Sequence, residues 1–283
     1  MNGSPPTNLI HLRQQHVNQS ERTIMTYDYI KVERRRHVMM IGINRPEKAN
    51  AFNLQLCREL SSAYAEFDSD DSMRVGILHS FGNHFTGGMD LPSVAPEVSA
   101  GNSLTAPGGI HPWQVEGQQL SKPLIAAVHG KCMTLGVELI LAADIVVCSA
   151  SATFVQLEPQ FGLFPFGGVT IRLPQRAGWG NTMRWVLTCE EFDAQEAHRI
   201  GLVQEVVEDG EHLTRALELA DVIASRAPLV VQAILSNGRR AMREGEGAAE
   251  IEMPRLARET FNSRDGHAGM ESFPNPPEGF IGK

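Results

Sequence analysis

Long apolar runs are missing from this 283-residue chain. No stretch of about 18 apolar residues occurs, so no segment reads as a membrane-spanning helix. Cysteine is scarce and scattered. Cys57, Cys132, Cys148 and Cys189 lie in apolar surroundings, with no CxxC pair and no Cys/His metal spacing. That leaves no case for a metal site. It predicts reduced thiols packed in a core and a cytoplasmic or organelle-matrix compartment. Basic charge is also short. Lys and Arg number 25 against 33 Asp and Glu, for a net charge of −8, and the longest basic run is Arg34-Arg35-Arg36. A nucleic-acid groove is argued against, and the triplet reads as the polar end of a hairpin. No GxGxxG opens a helix, so the dinucleotide-binding fingerprint is absent too.

What remains is the composition of an ordinary globular protein, 42% hydrophobic and 20% charged. Residues 1–24 are polar and lack the apolar core of a secretory signal. They read as a disordered extension, or as the result of a start codon called too early with Met25 as the true start. The two arginines there keep an organelle-targeting peptide open. From Tyr27 the pattern becomes regular. Tyr27–Val32 and His37–Ile43 read as strands around a turn at Glu33–Arg36, and Asn53 as the N-cap of a helix with Leu54, Cys57, Leu60, Tyr64 and Phe67 on one face. Val75–His79, Pro123–His129 and Asp144–Cys148 read as buried strands, with a helix from about Leu135 to Ala143. Residues 92–119 sustain no period and read as a long functional loop. Beyond about residue 165 the pattern is helical, over 168–177, 181–189, 193–200, 211–226, 229–243 and 246–262, broken by a strand at Leu202–Val207. Continuous apolar strands alternating with helices predict an α/β chain with helices packed on sheets, followed by a C-terminal helical subdomain.

Two glutamates stand where carboxylates are out of place. Glu138 interrupts Met133-Thr-Leu-Gly-Val-Glu-Leu-Ile-Leu-Ala-Ala143, and Glu158 closes an apolar run before Pro159. Glutamate is almost never buried unless paired or functional, so the two suggest one site of proton transfer. Two further segments accompany them. Phe85-Thr-Gly-Gly-Met-Asp-Leu91 follows a strand, and its paired glycines let backbone N–H groups point at a ligand. His129-Gly130 leads from a strand toward the helix that carries Glu138, an arrangement that aims free N–H groups at an anion. Read singly, each has a plainer explanation: a glycine turn, a strand–helix junction, an exposed loop carboxylate. Read together, they describe an oxyanion hole built from two loops beside two carboxylates, which suits a thioester whose carbonyl oxygen becomes an enolate. Each backbone donor is worth about 3–4 kcal/mol, and acid–base assistance about 3–5 kcal/mol. The set supplies about 9–13 kcal/mol, inside the enzymatic range of roughly 8–23. No metal or organic cofactor is required on that count.

With these motifs in order, the chain resembles the crotonase (enoyl-CoA hydratase/isomerase) superfamily from about Tyr27 to Phe273. Asn44-Arg-Pro-Glu-Lys-Ala-Asn-Ala51 is similar to the family's CoA-binding loop. Phe85–Leu91 and Ala126-Ala-Val-His-Gly130 through Leu139 are similar to its two oxyanion-hole loops. Gln156-Leu-Glu158 to Gly162 and Gly167-Gly168 to Leu173 match the segment that follows. The resemblance implies a crotonase-like spiral of ββα units over 25–200 and a helical trimerisation region over 201–283, assembled as a trimer or dimer of trimers, with Phe261 to Phe273 covering a neighbour's site. It implies that the N–H groups of Met89 and Leu135 hold the thioester oxygen. Glu138 would help activate the water that attacks C3, and Glu158 would hold that water and deliver a proton to C2 of a trans-2-enoyl-CoA. Ala49, Ala51, Phe52, Gly87, Asp90, Leu91 and Gly136 would contact CoA or substrate, CoA being part of the substrate and not a cofactor. Trp113, Phe164 and Phe166 would line the acyl pocket, with His111 and Trp113 in the 92–119 loop shaping its end.

The chain departs from the family pattern in three places. Thr134-Leu135-Gly136-Val137 stands where a Gly-Gly-Gly run followed by cysteine is usual, Met89 where alanine is common, and Phe164-Pro-Phe166 where residues are smaller. These bulky side chains point to a substrate other than a simple straight-chain enoyl-CoA. An isomerase, lyase or hydrolase on the same scaffold, and a non-catalytic RNA-binding or scaffold role, remain as alternatives. Retention of both glutamates favours hydration over the first group. The acidic balance counts against the second.

Overall fold

A computed structural model describes residues 24–277 and 279–283. The expected N-terminal extension lies, apart from residue 24, outside the described residues. The main sheet has seven strands: β1 (Ile24–Thr26), β2 (Ile30–Arg35), β3 (Val38–Ile43), β4 (Val75–Ser80), β5 (Leu124–Val128), β7 (Ile145–Ser149) and β10 (Glu205–Val207), side by side in that order. The first three are antiparallel and the rest parallel. A second sheet contains β6 (Lys131–Met133), β8 (Thr153–Val155) and β9 (Phe192–Asp193). The helices are α1 (Leu54–Ser69), α2 (Leu91–Ser99), α3 (Leu135–Leu141), α4 (Val169–Ala177), α5 (Trp179–Thr188), α6 (Ala194–Arg199), α7 (His212–Ala224), α8 (Pro228–Glu244), α9 (Glu246–Phe261) and α10 (Arg264–Ser272).

The central strands β3, β4 and β5 are buried at every position because both faces of the sheet are covered there. Along β3, Met39, Ile41 and Ile43 enter the larger core with Leu56, Leu60 and Phe67 of α1. Val38 and Met40 enter the smaller one on the opposite face, beneath Ala216, Ala220 and Ala224 of α7. Alternation of period two thus survives inside a run that reads as continuously hydrophobic. Helix α1 starts where the sequence placed it: Asn53 Oδ1 accepts the N–H of Leu56 at 2.8 Å, satisfying one orphan donor of the first turn. The β10 strand and α7 lie beyond residue 200, yet they belong to the main sheet and its covering layer.

Four expectations are corrected. The β2 strand runs through Arg35 and the hairpin turns at Arg36, whose φ is +54°. Ladder pairing with β3 continues from Glu33 to Arg35, and Arg34 is held outside the turn by Glu66 and Asp70 at 2.6 and 3.2 Å. The 92–119 segment begins as α2. Pro92 is tolerated in a first turn, and burial of Val94 alone leaves no apolar stripe to read. Gly130 leads into β6, not straight into α3, so a short strand precedes the helix. Finally, α10 was not anticipated. It is capped by Ser263, which accepts from Gly266 N, and its buried Asp265 carboxylate receives the N–H groups of Ile281 and Gly282 at 2.8 and 2.7 Å.

Candidate active site

The second sheet brings the two glycine-bearing loops together. Thr86 bridges Cys132 and Phe52 bridges Met89, both in parallel, which extends the β6–β8 pairing across the first loop. Thr86 N–H donates to Lys131 O at 3.1 Å and Met133 N–H donates back to Thr86 O at 3.0 Å. Phe52 N–H donates to Gly88 O at 2.8 Å, and Asp90 N–H to Phe52 O at 2.9 Å. Gly87 N–H donates to Ala49 O at 2.7 Å, docking the Asn44–Ala51 loop against the same strand. Backbone pairing therefore fixes Met89 beside Leu135, the first residue of α3, although 46 positions separate them in the chain. Among the described residues no hydrogen bond uses the N–H of Met89 or of Leu135. Both residues line one cleft.

The contact is close enough to dictate sequence. A Cβ on Gly88 would lie 2.0 Å from Thr134 Oγ1 and 3.2 Å from Met133 O, and Gly88 has φ +93°. Thr134 carries strain of its own at φ +49°, ψ −116°, a region few non-glycine residues adopt. Its N–H is held by Val155 O at 2.7 Å. Gly136 is buried against Thr86, whose Cγ2 a Cβ would meet at 2.3 Å. It spaces the loops and does not face the cleft.

Glu138 lies on α3 and is wholly buried. Its Oε1 accepts the N–H of Val169 at 3.0 Å, whereas its Oε2 is buried with no protein partner. Burial pushes its pKa from 4.5 up to about 7. Backbone N–H groups of Val169, Gly167 and Gly168 oppose the shift, and the charge of Glu158 adds to it. Glu158 opens a 3₁₀ turn, Glu158–Phe161, directly after Leu157, and lines the cleft. Burial raises its pKa as well, and its Oε2 is again buried without a protein partner. Glu138 on α3 precedes β7 and Glu158 follows β8, and the charge of Glu158 bears on Glu138. A carboxylate held by donors on one oxygen and open on the other is oriented to give or take a proton there.

The cleft has a volume of about 530 Å³. Gly87, Met89, Leu91, Leu135, Phe164 and Phe166 line it as expected, joined by Ala95, Val98 and Ser99 of α2 and by Phe161 and Leu163. The expected Ala49, Ala51, Phe52, Asp90, Trp113, Gly136 and Glu138 do not line it. Trp113 is wholly buried behind it, its ring 5.5 Å from that of Phe52, because its indole N–H is drawn inward to Leu135 O at 2.8 Å. Phe52 is likewise wholly buried and acts through its backbone. Asp90 accepts the Arg45 guanidinium at 2.9 Å, and Ala49 and Ala51 are half-buried on the adjoining loop. Sequence reasoning missed the α2 wall, the Arg45–Asp90 pair and Asn50. The Asn50 side chain accepts from Arg45 N and donates to Phe81 O and His84 O, each at 2.8 Å. Asp90-Leu-Pro92 was the available signal for α2, an acidic residue and a proline at a helix start. Among the described residues no group of three or more His, Cys, Asp or Glu converges as a metal ion would need.

Known proteins match this arrangement over most of the chain. Residues 33–276 match the enoyl-CoA hydratase/isomerase family. Enoyl-CoA hydratase EchA19 of Mycobacterium tuberculosis is 36% identical over 250 residues, 86% of this chain and 92% of the relative. Carnitinyl-CoA dehydratase of Proteus mirabilis is 38% identical over 198 residues, 70% of this chain and 75% of the relative. A crystal structure of a probable enoyl-CoA hydratase/isomerase from Mycobacterium abscessus superposes with a TM-score of 0.89 at 52% identity, over 91% of this chain and 100% of that one.

Proposed function

Because the chain belongs to the enoyl-CoA hydratase/isomerase family, we propose that it adds water across the 2,3 double bond of a 2-enoyl-CoA thioester. The observation that carries this reading is a pair of carboxylates, Glu138 wholly buried and Glu158 half-buried, each with one buried oxygen that has no protein partner, beside two unengaged backbone N–H groups. Met89 N–H and Leu135 N–H receive the thioester oxygen as it gains charge on the way to the enolate, where preorganised donors act most strongly. Glu138 and Glu158 share the water. In its ionised form Glu138 takes the proton as oxygen attacks C3, and Glu158 delivers a proton to C2. Incubation with crotonyl-CoA and with a branched or aromatic 2-enoyl-CoA tests the reading. A 3-hydroxyacyl-CoA product supports it; a shifted double bond with no hydration would reassign the chain to isomerisation.

The pH dependence has a definite sign. A base with its pKa near 7 is increasingly protonated below that value. Hydration kcat/KM should therefore fall about tenfold per pH unit on the acid side of a limb near pH 7. The limb belongs to the coupled pair and not to one residue. A profile flat from pH 5 to 8 would remove Glu138 from the base role.

The cleft supports an apolar acyl group. Its lining is apolar apart from Ser99, Thr134 and Glu158. Each buried methylene contributes about 0.8 kcal/mol, or roughly fourfold in kcat/KM. We expect kcat/KM to rise by about that factor per added methylene until the cleft is filled. Equal values for C4 and C10 substrates would contradict this. The CoA moiety would lie along Ala49, Ala51 and Phe52 next to the oxyanion loop, and no cofactor beyond it enters the chemistry. Exposed Ile234, Ile251, Phe261 and Phe273 on and after α8–α10 support assembly as a trimer or dimer of trimers through residues 201–283. Four free cysteines support a reducing compartment, the cytoplasm or an organelle matrix.

A further inference from the structure

The buried Trp113 joins the two halves of the site. Its indole N–H donates to Leu135 O at 2.8 Å, in the first turn of α3. Its ring packs on Gly167, where an added Cβ would come 2.9 Å from Trp113 Cδ1 and 2.8 Å from Glu138 Oε2. Trp113 is itself anchored by Arg172 of α4. The guanidinium donates to Trp113 O and Gln114 O, each at 2.7 Å, and to Gly167 O at 3.3 Å. Burial brings the Arg172 pKa down to about 10, so it remains cationic at neutral pH. One side chain therefore ties the peptide of Trp113 to the turn whose N–H groups hold Glu138, while the indole reaches the residue that offers the oxyanion donor.

We propose that Trp113 is a positioning residue, locked by Arg172, that sets the distance between the Leu135 oxyanion donor and the Glu138 carboxylate. The proposal rests on the hydration reading. Neither side chain touches substrate. Arg172 fastens the 112–115 segment to the Gly167–Gly168 turn, and Trp113 transmits that registration to the start of α3. The indole N–H adds a lateral bond to the Leu135 carbonyl, in a first turn where Thr134 makes no side-chain capping bond. A misplacement of about 1 Å in such a constellation can cost about 100-fold.

Two conservative variants test it. Trp113→Phe keeps a ring and removes the N–H; Arg172→Lys keeps the charge and removes the three-carbonyl fork. Each should lower kcat per folded protein by roughly 10- to 100-fold with KM within about twofold, and should displace the acid limb of the pH profile. The double variant should be little worse than the poorer single one, because both act through one linkage. A merely structural role would lower the melting temperature and leave kcat per folded protein and the pH limb where they were. Acetoacetyl-CoA supplies a readout that needs no hydration: the ultraviolet absorbance of its bound enolate reports the oxyanion donors. Wild-type enolate signal with a weakened signal in Trp113→Phe supports the proposal even if no enoyl-CoA is hydrated, in which case only the hydration reading fails. Retention of kcat and enolate absorbance within twofold in Trp113→Phe overturns it. A wild-type protein that neither hydrates crotonyl-CoA nor forms the enolate overturns both.

Discussion

Glu138→Gln should abolish most hydration and stabilise the protein at the same time. Loss of acid–base assistance predicts a fall in kcat of about 10²- to 10⁴-fold. The stability gain follows from proton linkage. The folded protein keeps a proton on Glu138 up to about pH 7, whereas the ordinary carboxyl releases it near 4.5. Between those values the native state binds more protons than the unfolded chain, so stability falls as pH rises, and the loss is complete above about pH 7. The shift corresponds to about 3 kcal/mol, to order of magnitude. Glutamine carries no charge to desolvate, and its Oε1 can still accept from Val169 N. Above pH 7 the variant should therefore melt later than wild type, while below pH 4.5 the two should coincide. Denaturant titrations at pH 4.5 and 8, paired with turnover, check both halves. An active Glu138→Gln, or one with the same stability difference at both pH values, contradicts the assignment. Glu158→Gln should show a kcat loss of the same order, since Glu158 faces the cleft with its own pKa raised by burial.

Gly88→Ala should be as damaging by a different route. The new methyl would sit 2.0 Å from Thr134 Oγ1, a separation no contact tolerates, and φ +93° is strained for any side chain. The loops must part, which moves Met89 N–H away from Leu135 N–H. Overpacking and strain of this kind cost about 1–3 kcal/mol each. A displacement near 1 Å predicts at least a 100-fold loss of kcat/KM. The clash falls on a side chain, so combining Gly88→Ala with Thr134→Gly should recover part of the activity. Complete recovery would assign the whole effect to the clash and none to φ. Wild-type activity in the single variant would show that the two loops need not touch.

Much of the site was legible because its chemistry forces residue types. A carboxylate inside Leu135–Leu141 is costly to bury, so Glu138 announces itself against its apolar neighbours. Gly88 announces itself because few other residues reach its backbone angles. Asn53 was readable as a cap from its place before an apolar stripe. Trp113 shows where such reading stops. An aromatic in a loop of no clear period fits a pocket wall as well as a buried strut. Only the bond to Leu135 O and the Arg172 fork distinguish them. The α2 helix was hidden for a related reason: a helix that buries one side chain and opens its other faces to a cleft and to solvent carries no apolar period.

By itself, the sequence determined the α/β class, the buried strands, the two glycine-bearing loops and the two misplaced glutamates. Each of these is written in local pattern, through periodicity, turn chemistry and the cost of burying charge. Tertiary structure alone decided which oxygens of Glu138 and Glu158 stay unpartnered, that β6 and Thr86 pair the two loops, and that Trp113 faces inward. Those features depend on contacts between segments tens of residues apart. Their free energies come from packing and hydrogen-bond geometry, which no local pattern encodes.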